Sequence, residues 1–210
     1  MARPMARERP TSLLVDLDGV LRRWDPAVIE EIERRHGVPT GSVLAVAMEW
    51  SRLKPAITGR ISHDEWMAEV IRALAEQIGD EERARAAVTE WRAYRGVVDT
   101  DVLGFIREVR GAGFRVGLAT NSTNLLDADL AELNLVGEVD AVINSSAIGV
   151  NKPAREFFYE ACRAVGALPK QVLLIDDDDR AVSGARVVGL SAHRWSGPQD
   201  LTYLRALFTR

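Results

Sequence analysis

Two carboxylates two positions apart, Asp16 and Asp18, follow the apolar run Leu13-Leu14-Val15 and precede Gly19. A second acidic pair, Asp176-Asp177, ends the apolar run Val172 to Ile175 and continues into Asp178-Asp179. Between them stand Thr120-Asn121, after Phe114 to Ala119, and Lys152, in a loop that ends at Pro153. Carboxylates this close repel unless something positive holds them. A hard divalent cation bound by oxygen ligands answers that need, and Mg²⁺ suits it. With the metal present, Asp16 stays ionised and can attack an electrophile such as phosphorus, and Asp18 can pass a proton to the leaving group. Phosphoryl transfer needs such a nucleophile, a metal, and donors that hold the equatorial oxygens. Thr120 offers a hydroxyl, Thr120-Asn121 offer backbone amides, and Lys152 offers a point charge. Each residue also has a plain structural reading. Asp16 and Asp18 can be a solvated turn, Thr120-Asn121 and the aspartate run can cap helices, and a lone lysine is by default solvated.

The elements that carry these residues decide between the readings. Apolar runs as short as Leu13–Val15 read as buried parallel strands, and in open α/β sheets ligands bind beyond the strands' carboxyl ends. After the first strand the pattern is helical. Asp25-Pro26 starts a helix with an N-cap and a proline at its first position. A second helix begins near Ser42, with Val43, Val46, Ala47, Trp50 and Leu53 on one stripe. Ser62 and Glu65 form a capping box for a third, striped by Trp66, Val70, Leu74 and Ile78, and Ala84, Ala87, Val88 and Trp91 mark a fourth. No strand is expected between Leu21 and about Val97. Of the five tryptophans, Trp50, Trp66 and Trp91 are expected in the core of this helical segment. Trp24 is expected where the chain passes from strand to helices, walling a cleft or packing a hinge.

From Asp99 helices and strands alternate. A helix through Val102, Leu103, Ile106 and Val109 ends at Gly111 to Gly113, and the strand Phe114 to Ala119 comes next. Later strands are Ala141 to Ile143, ending at Asn144-Ser145-Ser146, Val172 to Ile175, and about Leu190 to Arg194. Helices through Leu125 to Leu133, Glu156 to Val165 and Leu201 to Leu207 separate or follow them. Such alternation predicts a parallel sheet with right-handed crossovers: a Rossmann-like three-layer α/β/α core. Residues with chemical uses then stand at the same edge of one sheet, strand after strand.

At 210 residues, 47% hydrophobic, the chain suits one domain of ordinary size, or one domain carrying an insertion. A formal net charge of −4 gives no global basic field for nucleic acid, and no apolar run has the length to span a bilayer. Met1 to Pro10 is basic and proline-containing with no long apolar run after it, which reads as a tail and not a signal peptide. The single cysteine, Cys162, fits a reducing cytoplasm and a packing role on an amphipathic helix.

In its motifs the sequence resembles the haloacid dehalogenase (HAD) superfamily, whose members are mostly phosphatases. Leu14-Val15-Asp16-Leu17-Asp18-Gly19-Val20 resembles its first motif, with nucleophile (Asp16) and general acid/base (Asp18) two apart. Leu118-Ala119-Thr120-Asn121 resembles the phosphate-binding second motif, Asn151-Lys152-Pro153 the third, and Leu173-Leu174-Ile175-Asp176-Asp177 the metal-completing fourth. The resemblance implies Mg²⁺ held by Asp16, the backbone oxygen of Asp18, and Asp177, with Asp176 beside it. It implies a core of residues 1–21 and 98–210 and a small all-α cap of residues 22–97 that closes over the site. Two departures stand out: where Ser and Asn are common downstream of the last motif, this chain has Asp178 and Ala181. Asp178 adds negative charge near the metal, and Ala181 removes a supporting polar partner. Members that cleave carbon–halogen bonds lack the second aspartate, so Asp18 implies hydrolysis of a phosphoester. The expectation is a Mg²⁺-dependent phosphohydrolase of a small phosphorylated metabolite, cytoplasmic, monomeric or homodimeric, without nucleic-acid or membrane partners. A phosphomutase on the same residues, or a non-catalytic binding or regulatory protein on the same fold, are the alternatives.

Overall fold

Every residue of β1 (Ser12–Val15) is buried, as a strand covered on both faces must be. After it come β2 (Arg22–Arg23), then α1 (Pro26–Arg35), α2 (Ser42–Ala47), α3 (Trp50–Ile57), α4 (His63–Ile78) and α5 (Glu81–Ala93). The chain returns through β3 (Val97–Val98) and alternates: α6 (Thr100–Gly111), β4 (Arg115–Thr120), α7 (Leu126–Glu132), β5 (Ala141–Asn144), α8 (Ser145–Ile148), α9 (Arg155–Ala164), β6 (Val172–Asp176), α10 (Asp179–Val187), β7 (Ser191–Arg194) and α11 (Leu201–Leu207). The computed structural model describes residues 9–209, so most of the expected N-terminal tail lies outside the described residues. Among those described, no helix is long and apolar enough to cross a membrane.

The sheet is five-stranded in the order β5-β4-β1-β6-β7, and every neighbouring pair is parallel. Alternation along β1 sends its side chains to opposite faces. Leu13 and Val15 join Phe105, Ile106, Leu118 and Leu204 in one apolar layer. Leu14 joins Phe157, Phe158, Ala161 and Cys162 in the other. Helices cover both faces, giving the three-layer α/β/α architecture. Val15 pairs with Leu118 on one side and Ile175 on the other. That register brings Asp16 level with Asp176 and within one residue of Thr120.

The helices α1 to α5 bury a separate apolar cluster, centred on Trp66, Val70 and Leu74 of α4 and Ala87, Val88 and Trp91 of α5. The capping box at the start of α4 forms: Ser62 N–H donates to Glu65 Oε2 at 2.7 Å, and Glu65 N–H to Ser62 Oγ at 3.2 Å. Glu33 is completely buried, its carboxylate accepting from the N–H groups of Gly41 (2.6 Å) and Val43 (2.9 Å) at the start of α2.

Three expectations change. The helix expected from Ser42 through Leu53 is two helices, because Glu49 turns extended (ψ 125°) and resets the helical phase. Trp50 therefore leaves the Val43–Ala47 stripe and stands 54% exposed, not in the core of the helical unit. Arg22–Arg23 form a strand where none was expected, pairing antiparallel with Val97–Val98; two residues are too few to show a period. After β5 the chain makes the short helix α8, with the Asn144 side chain accepting from Ser146 N–H.

Candidate active site

β1 stops at Val15, and Asp16 emerges from it nearly buried, its N–H still bonded to Ile175 O at 2.9 Å. Lys152, also buried, reaches in from the β5–α9 connection. Its Nζ lies 2.9 Å from Asp16 Oδ2 and 2.6 Å from Asp176 Oδ2. The remaining oxygens of both acids accept backbone N–H groups, Leu17 on Asp16 (2.7 Å) and Asp178 on Asp176 (2.9 Å). Thr120 ends β4, 1% exposed, and its Oγ1 has no hydrogen-bond partner. A buried hydroxyl without a partner is costly and is a donor in waiting. Asn121 lines the same cleft, but its side chain holds the lysine loop: Oδ1 accepts from Lys152 N–H (2.8 Å) and Nδ2 donates to Lys152 O (3.2 Å). All seven residues singled out for chemistry, Asp16, Asp18, Thr120, Asn121, Lys152, Asp176 and Asp177, line this cleft of about 410 Å³.

Asp18 is held by Arg22, which no sequence pattern marks, and by Trp24. Arg22 donates to both its oxygens, Nε to Oδ1 at 2.7 Å and Nη2 to Oδ2 at 3.0 Å. Trp24 Nε1 donates to Oδ1 at 2.6 Å. Arg22 is buried and extends to Asp129 Oδ2 at 2.9 Å, which also faces Arg95. Burial opposes the Arg22 charge, but Asp18 and Asp129 outweigh it and hold the guanidinium above its ordinary value. Trp24 packs edge-on against Tyr94 at 5.5 Å and under the Arg22 guanidinium at 4.7 Å. It sits where strand passes into helices, as its position after the first motif suggests. No local pattern distinguishes Arg22 from the other basic residues of the chain, and Asp129 is remote in sequence.

Burial pushes the Asp16 carboxyl up to about 7, with Lys152 opposing the shift and Asp176 and Asp18 adding to it. Asp177 is also raised, by burial and then by Asp176. Lys152 is raised: burial works against its charge, and the two acids overcome burial. One ammonium thus leaves an excess of negative charge. Asp16, Asp176 and Asp177 offer carboxylate oxygens that all lie within 4.8 Å of one another. A donor set made wholly of oxygen, with surplus negative charge, fits Mg²⁺. Gly19 makes the approach of Asp177 possible: its φ is +80°, and a Cβ there would collide with the Asp177 carboxylate. Of the two departures, Asp178 is exposed and caps α10, accepting from Arg180 N–H at 2.9 Å. Ala181 is buried at the cleft wall.

Residues 11–189 match the haloacid dehalogenase-like hydrolase family. Phosphatase MT3486 of Mycobacterium tuberculosis (strain CDC 1551 / Oshkosh) is 27% identical over 190 residues, which is 87% of this chain and 86% of that protein. The phosphoserine phosphatase of Thermus thermophilus is 31% identical over 126 residues, 57% of this chain and 50% of that protein. Among solved structures, the wild-type HAD family enzyme BT-2542 of Bacteroides thetaiotaomicron, in complex with magnesium and inorganic phosphate, matches with a TM-score of 0.70. That likeness spans 93% of this chain and 98% of the other at 20% identity, and it is one of fold.

Proposed function

The chain belongs to the haloacid dehalogenase-like hydrolase family, and from that premise we propose that it is a Mg²⁺-dependent phosphatase acting on a small phosphorylated metabolite. The observation that carries this reading is the Lys152 ammonium seated between Asp16 and Asp176, beside a Thr120 hydroxyl that has no partner. Asp16 attacks phosphorus as the bond to the ester oxygen breaks, and an aspartyl-phosphate forms. Asp18 gives its proton to the departing oxygen, then takes one from the water that cleaves the acyl phosphate and frees inorganic phosphate. As found, Asp18 accepts from Arg22 and Trp24, so proton transfer requires one of its oxygens to be released from them. Thr120 donates to one phosphoryl oxygen, Lys152 neutralises another, and Asn121 fixes the lysine loop while its backbone N–H joins the phosphate cradle. Asp16, Asp177 and the Asp18 backbone oxygen, with Asp176 beside them, would hold Mg²⁺, which supplies positive charge to the phosphoryl oxygens. The separate apolar cluster of α1 to α5, joined to the sheet through the β2–β3 pair, supports reading residues 22–97 as a cap and residues 1–21 and 98–210 as the core.

Release of inorganic phosphate from a generic phosphoester with Mg²⁺ tests the reading. Asp16→Asn, folded by circular dichroism, is expected to lose nearly all turnover. Chelation is expected to abolish turnover and Mg²⁺ to restore it. Substantial phosphatase activity in folded Asp16→Asn, or full activity after exhaustive chelation, refutes the mechanism.

A further inference from the structure

A second cavity, of about 510 Å³, opens from the cleft and runs beneath the helical unit; Asp18, Trp24 and Asn121 line both. We infer that this cavity takes the alcohol half of the substrate and that this half is a large apolar group, aliphatic or arylalkyl, without a charge of its own. The inference rests on the phosphatase reading for the identity of the site and adds the chemical class of what is cleaved.

The walls carry the argument. Trp24, Met48, Trp50, Trp66, Met67 and Trp91 face the space, with further aliphatic side chains between them. Trp66 and Trp91 belong to the apolar cluster of the helical unit. Met48 and Trp50 do not, and they stand 48% and 54% exposed. Within the helical unit, large exposed apolar side chains therefore gather at this cavity. Their exposure is unfavourable unless a ligand covers them, and continuity with the catalytic cleft identifies that ligand as the rest of the substrate. A volume of this size is that of a small-molecule site lined mainly by apolar and aromatic groups.

The charged side chains lining the cavity are already paired, with one another or with acids just outside it. Arg22 bonds Asp18 and Asp129. Arg95 faces Glu132 at 3.1 Å and Asp129 at 3.4 Å. Arg92 meets Asp64 at 2.5 Å. His63 adds no cation, because burial and then Arg92 hold its imidazole below the usual range. A second phosphate or a substrate carboxylate finds its cations already paired, and the two lining carboxylates that an ammonium would need are held by arginines. That distinguishes the site from one built for phosphoserine or a sugar bisphosphate.

The test is a series of straight-chain alkyl phosphates from ethyl to octyl, with glycerol 3-phosphate and phosphoserine beside them; the alkyl alcohols leave with similar ease. kcat/KM is expected to rise about fourfold per added methylene until the cavity is filled. Octyl phosphate is expected to exceed glycerol 3-phosphate by about 100-fold or more. Trp50→Ala removes no core side chain, and it is expected to lower the octyl-to-ethyl ratio. A flat series, or a preference for phosphoserine, overturns the inference while leaving the phosphatase reading intact. If no ester turns over, titration of tryptophan fluorescence with 2-phenylethanol decides. Saturable binding weakened by Trp50→Ala keeps the apolar site and removes the phosphatase reading, and absence of saturable binding to the folded protein overturns the site.

Discussion

Replacing Lys152 by methionine keeps the length of the stem and removes the charge. In the native protein the Nζ makes two charge-assisted contacts, 2.9 Å to Asp16 and 2.6 Å to Asp176, both partners being buried. Such bonds contribute about 1.5–3 kcal/mol each, and breaking a buried ion pair from one side costs about 3–5 kcal/mol because the other charge stays behind. Here two carboxylates stay behind, but either can limit the loss by taking up a proton, so the lower end, about 3 kcal/mol, is expected. For a chain of this size about 1 kcal/mol moves Tm by about 2–4 °C. Lys152→Met should therefore melt about 6–12 °C below wild type by scanning calorimetry in chelator. If Mg²⁺ binds the folded carboxylates, as proposed, and not the unfolded chain, then at about 100 times its Kd it should return about 2.7 kcal/mol of stability. The variant, its stability restored by Mg²⁺, should remain slower than wild type by about 10²–10³ in kcat, as expected when one preorganised donor is lost. A Tm in chelator within about 2 °C of wild type would show that the ammonium does not hold the two acids together, and the reasoning about the site would fail.

Thr120→Val should separate function from stability. No hydrogen bond to Oγ1 is lost in the folded protein, so the melting temperature should hold or rise while kcat/KM falls by about 10²–10³; a marked fall in Tm would mean the hydroxyl has a structural partner. Gly19→Ala places a Cβ against the Asp177 carboxylate at a φ of +80°, so the Mg²⁺ concentration for half-maximal activity should rise. An unchanged Mg²⁺ titration would remove Asp177 from the metal site. Glu33→Ala leaves the Gly41 and Val43 N–H groups without their carboxylate and should cost about 3 kcal/mol or more in urea unfolding. Glu33→Gln, which keeps one acceptor oxygen, should cost less, and equal stabilities for all three proteins would contradict the buried cap.

That Asp16, Thr120, Lys152 and Asp176 meet at one edge of the sheet was legible in the chain because it depends on local rules. A short apolar run in such a chain makes a covered strand, and the next residue then lies at the strand's carboxyl end. Asp16, Thr120 and Asp176 are therefore brought to one edge by the pattern of the strands, and Lys152 by its position in the loop before α9. The capping box at Ser62 and Glu65 was legible for the same reason, since both partners lie within one helical turn.

What the chain alone did not show depends on residues that meet only when the fold closes. Arg22 reaches Asp129 across 107 positions of sequence, and nothing near either residue marks the pair. The Asn121 amide reads as a ligand group until the lysine loop, 31 positions away, is seen to use it. Trp50 fits the stripe of Val43 and Ala47 until a single extended residue, Glu49, shifts the helical phase. The apolar cavity has no sequence signature, because its walls come from helices and loops that each bury other faces elsewhere. Periodicity determines which face of an element is buried; only the packing of elements against one another decides which side chains share a cavity, and which charges cancel there.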